Sequence, residues 1–239
     1  MTMLAVRGLT RRFGGLTAVD DVSFELAAGE VVGIIGPNGA GKSSLFSLIT
    51  GFLVPDSGEV WFDGRNITGL KPYRIARAGL ARGFQIVEVF SGMTVEDAII
   101  TAALSHLNIR EARKAACQVM EDVGLSGKAD ALPEEMSIQD RKMLEVAKCL
   151  ALRPKLILLD EVMAGLTLAE AQRPLALIER ARQQGIAVLM VEHVMPVVMQ
   201  ATSRLIVMNF GKKIAEGEPT RVIEDPQVID AYFGQPELA

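Results

Sequence analysis

Eight consecutive residues, Gly36-Pro37-Asn38-Gly39-Ala40-Gly41-Lys42-Ser43, fit the spacing G-x-x-x-x-G-K-[ST]. Glycines at these positions let backbone N–H groups turn inward and come close to phosphate oxygens. A helix opening directly after the loop would aim its positive dipole end at the same anion. Lys42 would neutralise β- and γ-phosphates, and the Ser43 hydroxyl would ligate Mg2+. A Gly-rich turn matching by chance is the bland alternative. It is disfavoured because the apolar run VVGII stands directly before the loop and a helical pattern follows.

Such a site needs a carboxylate at the end of a buried strand. Leu156-Ile157-Leu158-Leu159-Asp160-Glu161 supplies it. Asp160 would hold Mg2+, directly or through water, and Glu161 would orient or deprotonate the attacking water. Alone, an apolar run ending in Asp-Glu could equally be a strand end facing solvent. The phosphate loop upstream is what tips the reading.

These residues require a scaffold, and the pattern of the chain supplies one. Short apolar runs rich in β-branched residues (Val31–Ile35, Leu156–Leu159, Ala187–Val191, Leu205–Met208) alternate with segments of helical period (Lys42–Ile49, Ala169–Gln183, Val194–Thr202). That alternation predicts an α/β fold with a mostly parallel sheet, whose strands are apolar throughout because helices cover both faces. Leu4–Leu26 and Glu59–Phe62 read as short alternating strands of a flanking antiparallel sheet. Val95–Ala151 reads as helices only, including Glu111–Val123 and Ile138–Leu150, and is taken as a lobe inserted into the core.

Composition sets the outer bounds. The 239 residues carry 25 Lys+Arg against 29 Asp+Glu, a formal charge of −4, and 49% are hydrophobic. The chain is too apolar to be disordered, and its small acidic excess argues against a broad basic face for nucleic acid. No run approaches the roughly 18–20 apolar residues needed to span a bilayer. The N-terminus lacks an apolar core with a small-residue cleavage site, so a cytosolic protein is expected. Cys117 and Cys149 are expected to be buried free thiols in a reducing compartment.

Taken together, the residues resemble the ATP-binding cassette (ABC) ATPases over nearly the whole chain. Gln85, in Arg82-Gly83-Phe84-Gln85, falls where that family has its Q-loop glutamine, and His193, in Val191-Glu192-His193, at the switch histidine. Phe13 falls where an aromatic stacks on adenine. Within the superfamily the chain is most similar to the ATP-binding subunits of branched-chain amino acid importers. That likeness is carried by Arg12–Phe24, Gly79–Gln85, Phe90–Glu96, Ile214–Pro219 and Val228–Gly234.

The resemblance implies a P-loop NTPase core with a mostly parallel sheet, a flanking antiparallel β subdomain and an inserted helical lobe. Residues 1–85 and 152–239 would form the core and 86–151 the lobe, in one domain. It implies ATP contacts from Phe13, Val19, Gly36, Asn38, Gly39, Ala40, Gly41, Lys42, Ser43, Ser44, Gln85 and Ser137. Mg2+ would be held by Ser43, Gln85 and Asp160, and catalysis would rest on Lys42, Glu161 and His193. Implied partners are integral-membrane permease subunits, a second ABC ATPase subunit, identical or related, and indirectly an extracytoplasmic solute-binding protein. The implied location is the cytoplasmic face of the inner membrane.

The sequence departs from the family at the signature, roughly L-S-G-G-Q, where it has Met136-Ser137-Ile138-Gln139-Asp140. Ser137 and Asp140 have the S-x-x-D form of a capping box. Ile138 and Gln139 replace glycines and would hold the backbone back from a γ-phosphate, and Asp140 would add negative charge near an anion. The expectation is a competent site on this chain's own Lys42 and Glu161, and a weaker site where its signature completes a partner's. Val162 replaces a usual proline, and Thr167 stands where an acidic or amide residue usually ends the D-loop. Two other readings stay open at this stage: a soluble ABC ATPase outside transport, and a nucleotide-binding regulator with weakened hydrolysis. Another P-loop enzyme, such as a nucleotide kinase, would have no need of Gln85, Ser137 and His193 in this order.

Overall fold

The structure is a computed structural model that describes residues 1–84 and 92–233. In chain order its strands are β1 (Thr2–Phe13), β2 (Leu16–Ala27), β3 (Val31–Ile35), β4 (Ser57–Phe62), β5 (Arg65–Asn66), β6 (Leu80–Gly83), β7 (Leu156–Asp160), β8 (Ala187–Val191), β9 (Arg204–Asn209) and β10 (Lys212–Gly217). The helices are α1 (Lys42–Ile49), α2 (Pro72–Arg77), α3 (Val95–Ala103), α4 (Ile109–Asp122), α5 (Ile138–Ala151), α6 (Leu168–Gln183), α7 (Met195–Ala201), α8 (Pro219–Val222) and α9 (Pro226–Phe233).

The strands form two sheets. One is antiparallel, ordered β2-β1-β4-β5; the other is ordered β10-β9-β3-β8-β7-β6. In the second sheet only the β9–β10 pairing is antiparallel. Every residue of β3, β7 and β8 is buried, which is why those strands read as unbroken apolar runs. Successive residues of β7 still face opposite ways. Leu156 and Leu158 join the apolar cluster that holds the antiparallel sheet and α1, while Ile157 and Leu159 join the one that holds α3, α4 and α5. The lobe is thereby welded to the core through a shared hydrophobic cluster.

β3 lies between β8 and β9, and the connection from β8 to β9 through α7 passes over it. This arrangement opens a crevice beyond the carboxyl end of β3, the usual ligand position in an open α/β sheet. The phosphate loop starts there.

The expected short strands between Leu4 and Leu26 are two strands of 12 residues each. Register shifts on either side of Leu9, near Gly8 (φ +57°) and Asp21 (φ +51°), interrupt the alternation and hide their length from the sequence pattern. Leu80–Gly83, not read as a strand, pairs in parallel with β7 at the sheet edge. The lobe helices start on side-chain caps: Thr94 accepts from Asp97 N–H, Asn108 from Glu111 N–H and Ser137 from Asp140 N–H. Both cysteines are free and Cys149 is buried, but Cys117, expected to be buried, is exposed on α4.

Candidate functional site

The loop after β3 demands glycine at two positions. A Cβ on Gly36 would sit 2.1 Å from the Met208 carbonyl oxygen, and one on Gly41, at φ +98°, would sit 2.1 Å from the Ala18 carbonyl oxygen. Backbone bonds tie the loop down: Gly211 N–H donates to Ala40 O (3.0 Å) and Asp20 N–H to Gly211 O (2.9 Å). α1 opens at Gly41 with no side-chain cap and no acidic residue in its first turn, so its first N–H groups are left for an anion.

A cleft of about 420 Å³ lies over this loop, lined by Phe13, by residues 38–44 and by Glu161. Phe13 is 43% exposed, and the Arg11 guanidinium lies 5.1 Å from its ring centre. The cleft also uses Leu16, Thr17, Ala18 and Phe210, which sequence reasoning did not single out. Val19, expected at the nucleotide, is fully buried in the apolar core instead. It faces inward on β2, and its neighbours Thr17 and Ala18 form the wall.

The Lys42 ammonium is buried and donates to Gly36 O (2.7 Å) and Pro37 O (3.0 Å). Burial lowers its pKa, while the charges of Glu161 and Asp160 oppose that shift. A cation already stripped of water gains more from a phosphate than a hydrated one.

Asp160 ends β7 and is 5% exposed. Its Oδ2 accepts from Arg82 Nη2 at 2.9 Å. Arg82 also donates to Ser47 Oγ (3.2 Å) and Thr50 Oγ1 (3.3 Å). Its guanidinium lies 5.0–5.9 Å from the ring centres of Phe46, Phe52 and Phe84. Arg82 thus compensates a carboxylate that would be costly to bury unpaired. No signal short of three dimensions reveals this pairing between residues 78 positions apart.

Glu161 follows at φ +51°, a left-handed conformation uncommon outside glycine. Its Oε1 lies 2.8 Å from His193 Nε2, and its N–H donates to Val191 O at 2.9 Å. Two groups expected to act on one water are therefore in direct contact, with the carboxylate on the cleft wall. Glu192, beside His193, is fully buried and accepts the Met163 N–H at 2.7 Å; sequence reasoning passed over it.

Ser137 caps α5 in the lobe and is not among the residues lining the cleft. The expected capping box is half formed. Ser137 Oγ accepts from Asp140 N–H, but the Asp140 carboxylate takes its hydrogen bond from the Ser137 hydroxyl (2.6 Å) rather than from the Ser137 N–H. A complete box occurs at Thr167 and Glu170, capping α6. Asp140 is not the bare negative charge expected: Lys128 bonds to it, and Arg173 lies 3.8 Å away. Burial pushes its carboxyl up, but the bonds from Lys128 and Ser137 and the nearby charges outweigh that and hold it below the ordinary range. Ile138, by contrast, is 67% exposed at the first position of α5. Gln85 lies outside the described residues.

The chain matches two family models, "ABC transporter" over residues 19–164 and "Branched-chain amino acid ATP-binding cassette transporter" over residues 212–237. It is 37% identical to the high-affinity branched-chain amino acid transport ATP-binding protein BraF of Pseudomonas aeruginosa, with 98% of both chains covered. It is 36% identical to LivG of Salmonella typhimurium, a protein with the same description, again over 98% of both. A solved nucleotide-free ATP-binding cassette from an ABC transporter superimposes with a TM-score of 0.90 at 31% identity, covering 98% of this chain and all of that one.

Proposed function

Since the chain belongs to the ABC transporter ATP-binding proteins, in the branched-chain amino acid transporter ATPase family, we propose that it powers an importer of branched-chain or related hydrophobic amino acids. It is an ABC transporter ATPase and binds ATP, and family membership implies a dimer of ATPase subunits acting on a permease. The observation that carries the solute class is the match of residues 212–237 to the branched-chain group, and the likeness to BraF and LivG supports it. A strain lacking this protein is expected to lose at least about tenfold in leucine, isoleucine or valine uptake, restored by the wild-type chain but not by a Glu161→Gln variant. Unchanged uptake of all three would refute the solute class.

The geometry described above supports the following roles for the side chains. Phe13 presents a ring face to adenine. The loop N–H groups and Lys42 hold the β- and γ-phosphates. Glu161 and His193 orient the attacking water, and Glu161 accepts its proton. Ser43 and Asp160 offer only oxygen donors, which suits Mg2+ shared with phosphates rather than caged by protein. Among the described residues no cluster of three or more His, Cys, Asp or Glu side chains could form such a cage. When bound, Mg2+ supplies charge neutralisation of the phosphates. Gln85 is assigned to the same shell from its sequence position. Arg82 fixes the Asp160 carboxylate in direction.

Among the described residues no helix is long and apolar enough to cross a membrane. We place the protein on the cytoplasmic face of the inner membrane, held there by permease subunits that also meet an extracytoplasmic solute-binding protein. The partner ATPase subunit borrows the Ser137 end of α5. With the Asp140 charge compensated, Ile138 and Gln139 are what keep that helix end from a γ-phosphate. Replacing both by Gly is expected to raise turnover at the partner's site by about tenfold. Each substitution costs the helix about 1 kcal/mol, so the variant still folds. Single-turnover hydrolysis in the assembled transporter reads this, and an unchanged rate would refute the weak-site assignment.

A further inference from the structure

We propose that Glu192 and Lys142 are positioning residues for ATP hydrolysis, clamping the turn Glu161–Ala164 from two sides and holding Glu161 in its left-handed conformation with its carboxylate on His193. This rests on the role given to Glu161 above.

The turn is closed by Ala164 N–H donating to Glu161 O (3.2 Å). Glu192, at the end of β8 and 1% exposed, takes hold of an N–H of the turn: one oxygen accepts from Met163 (2.7 Å), while Oε2 has no hydrogen-bond partner among the described residues. Lys142, from α5, takes hold of the carbonyls. Its ammonium donates to Glu161 O (3.4 Å) and to Ala164 O. Its charge also acts on both the Glu192 and Glu161 carboxylates. A carboxylate on the amide side and an ammonium on the carbonyl side fit the polarity of the peptide groups they hold.

The arrangement is expensive for folding alone. Burial pushes the Glu192 carboxyl up to about 7, and the Glu161 charge pushes the same way. The N–H groups of Met163 and His193 and the charge of Lys142 oppose them. Burial also lowers the Lys142 pKa against the pull of both carboxylates. Apolar side chains of similar size would cost less in such a place. What they could not supply is directed bonds to a turn that starts on a left-handed non-glycine residue, which persists only where its surroundings hold it. Lys142 also sits on the helix that Ser137 caps, so the clamp joins the lobe directly to the hydrolytic carboxylate.

The test uses Glu192→Ala and Lys142→Ala, with Glu192→Gln and Lys142→Arg as conservative partners. In the full-length chain, amide exchange at Met163 should quicken at least about tenfold in Glu192→Ala and stay near wild type in Glu192→Gln, whose carbonyl still accepts the bond. In the native transporter both alanine variants should lose about tenfold or more in kcat with KM for ATP within about twofold, and the conservative variants should recover most of it. Fast Met163 exchange with wild-type kcat would overturn the proposal, leaving the pair a structural fixture. So would kcat and ATP affinity falling together with no rescue. A Glu161→Gln control that still hydrolysed ATP would instead sink the role of Glu161, while Met163 exchange would still report on the clamp.

Discussion

Replacing Glu161 by Gln is expected to slow ATP hydrolysis by about two to four orders of magnitude, the range set by losing a general base, while ATP binding survives. The Gln side chain has the same shape and keeps an oxygen for the His193 contact now seen at 2.8 Å, but it cannot accept a proton from water. That loss corresponds to about 3–5 kcal/mol of transition-state stabilisation. Because the phosphate-holding residues lie on a different element, the variant should accumulate as an ATP-loaded, closed dimer. Phosphate release in a single turnover, alongside titration with a fluorescent ATP analogue, separates the two effects. A wild-type rate of release would remove Glu161 from the mechanism and take the clamp on its turn with it.

Lys42→Ala acts at the other stage. The ammonium is already desolvated and held by the Gly36 and Pro37 carbonyls, so meeting a phosphate takes a short movement and little further loss of water. Charge-assisted hydrogen bonds of this kind contribute about 1.5–3 kcal/mol each. Losing one or two of them weakens ATP binding by about two to three orders of magnitude. The fold should hardly notice, because burial disfavours the charged form of this side chain. Equilibrium dialysis with labelled ATP measures the affinity, and thermal unfolding should shift by only a few degrees at most. If the variant bound ATP as tightly as wild type, the phosphate-loop reading would be wrong at its centre.

How much of this was legible in the sequence depends on how local each cause is. Val31–Ile35 and Ala187–Val191 are legible as strands because both faces of each are buried, which makes each a short run with no polar side chain. The loop Gly36–Ser43 was legible because its backbone demands are met by residue types at fixed offsets. Leu80–Gly83 was not: Arg82 looks like a solvated side chain until Asp160, far along the chain, is brought against it. Val19, expected at the nucleotide, lies in the core, since proximity in sequence to the cleft wall says nothing about which face of a strand a residue occupies. Asp140 was misjudged because its compensating charges, Lys128 and Arg173, arrive from another turn and another helix. Glu192 was legible only as part of a motif, since a buried carboxylate cannot be told from an exposed one by its neighbours in sequence.

The cleft draws its walls from both sheets. Phe13, Leu16, Thr17 and Ala18 come from the hairpin of β1 and β2, whereas Lys42, Ser43 and Glu161 belong to segments that leave the other sheet. Among the described residues the two sheets share no ladder of strand pairing. A guest that touches both walls therefore bridges two sheets that the apolar cluster beneath them and the bond from Asp20 to Gly211 already join. A ligand too short to span the cleft meets one sheet only.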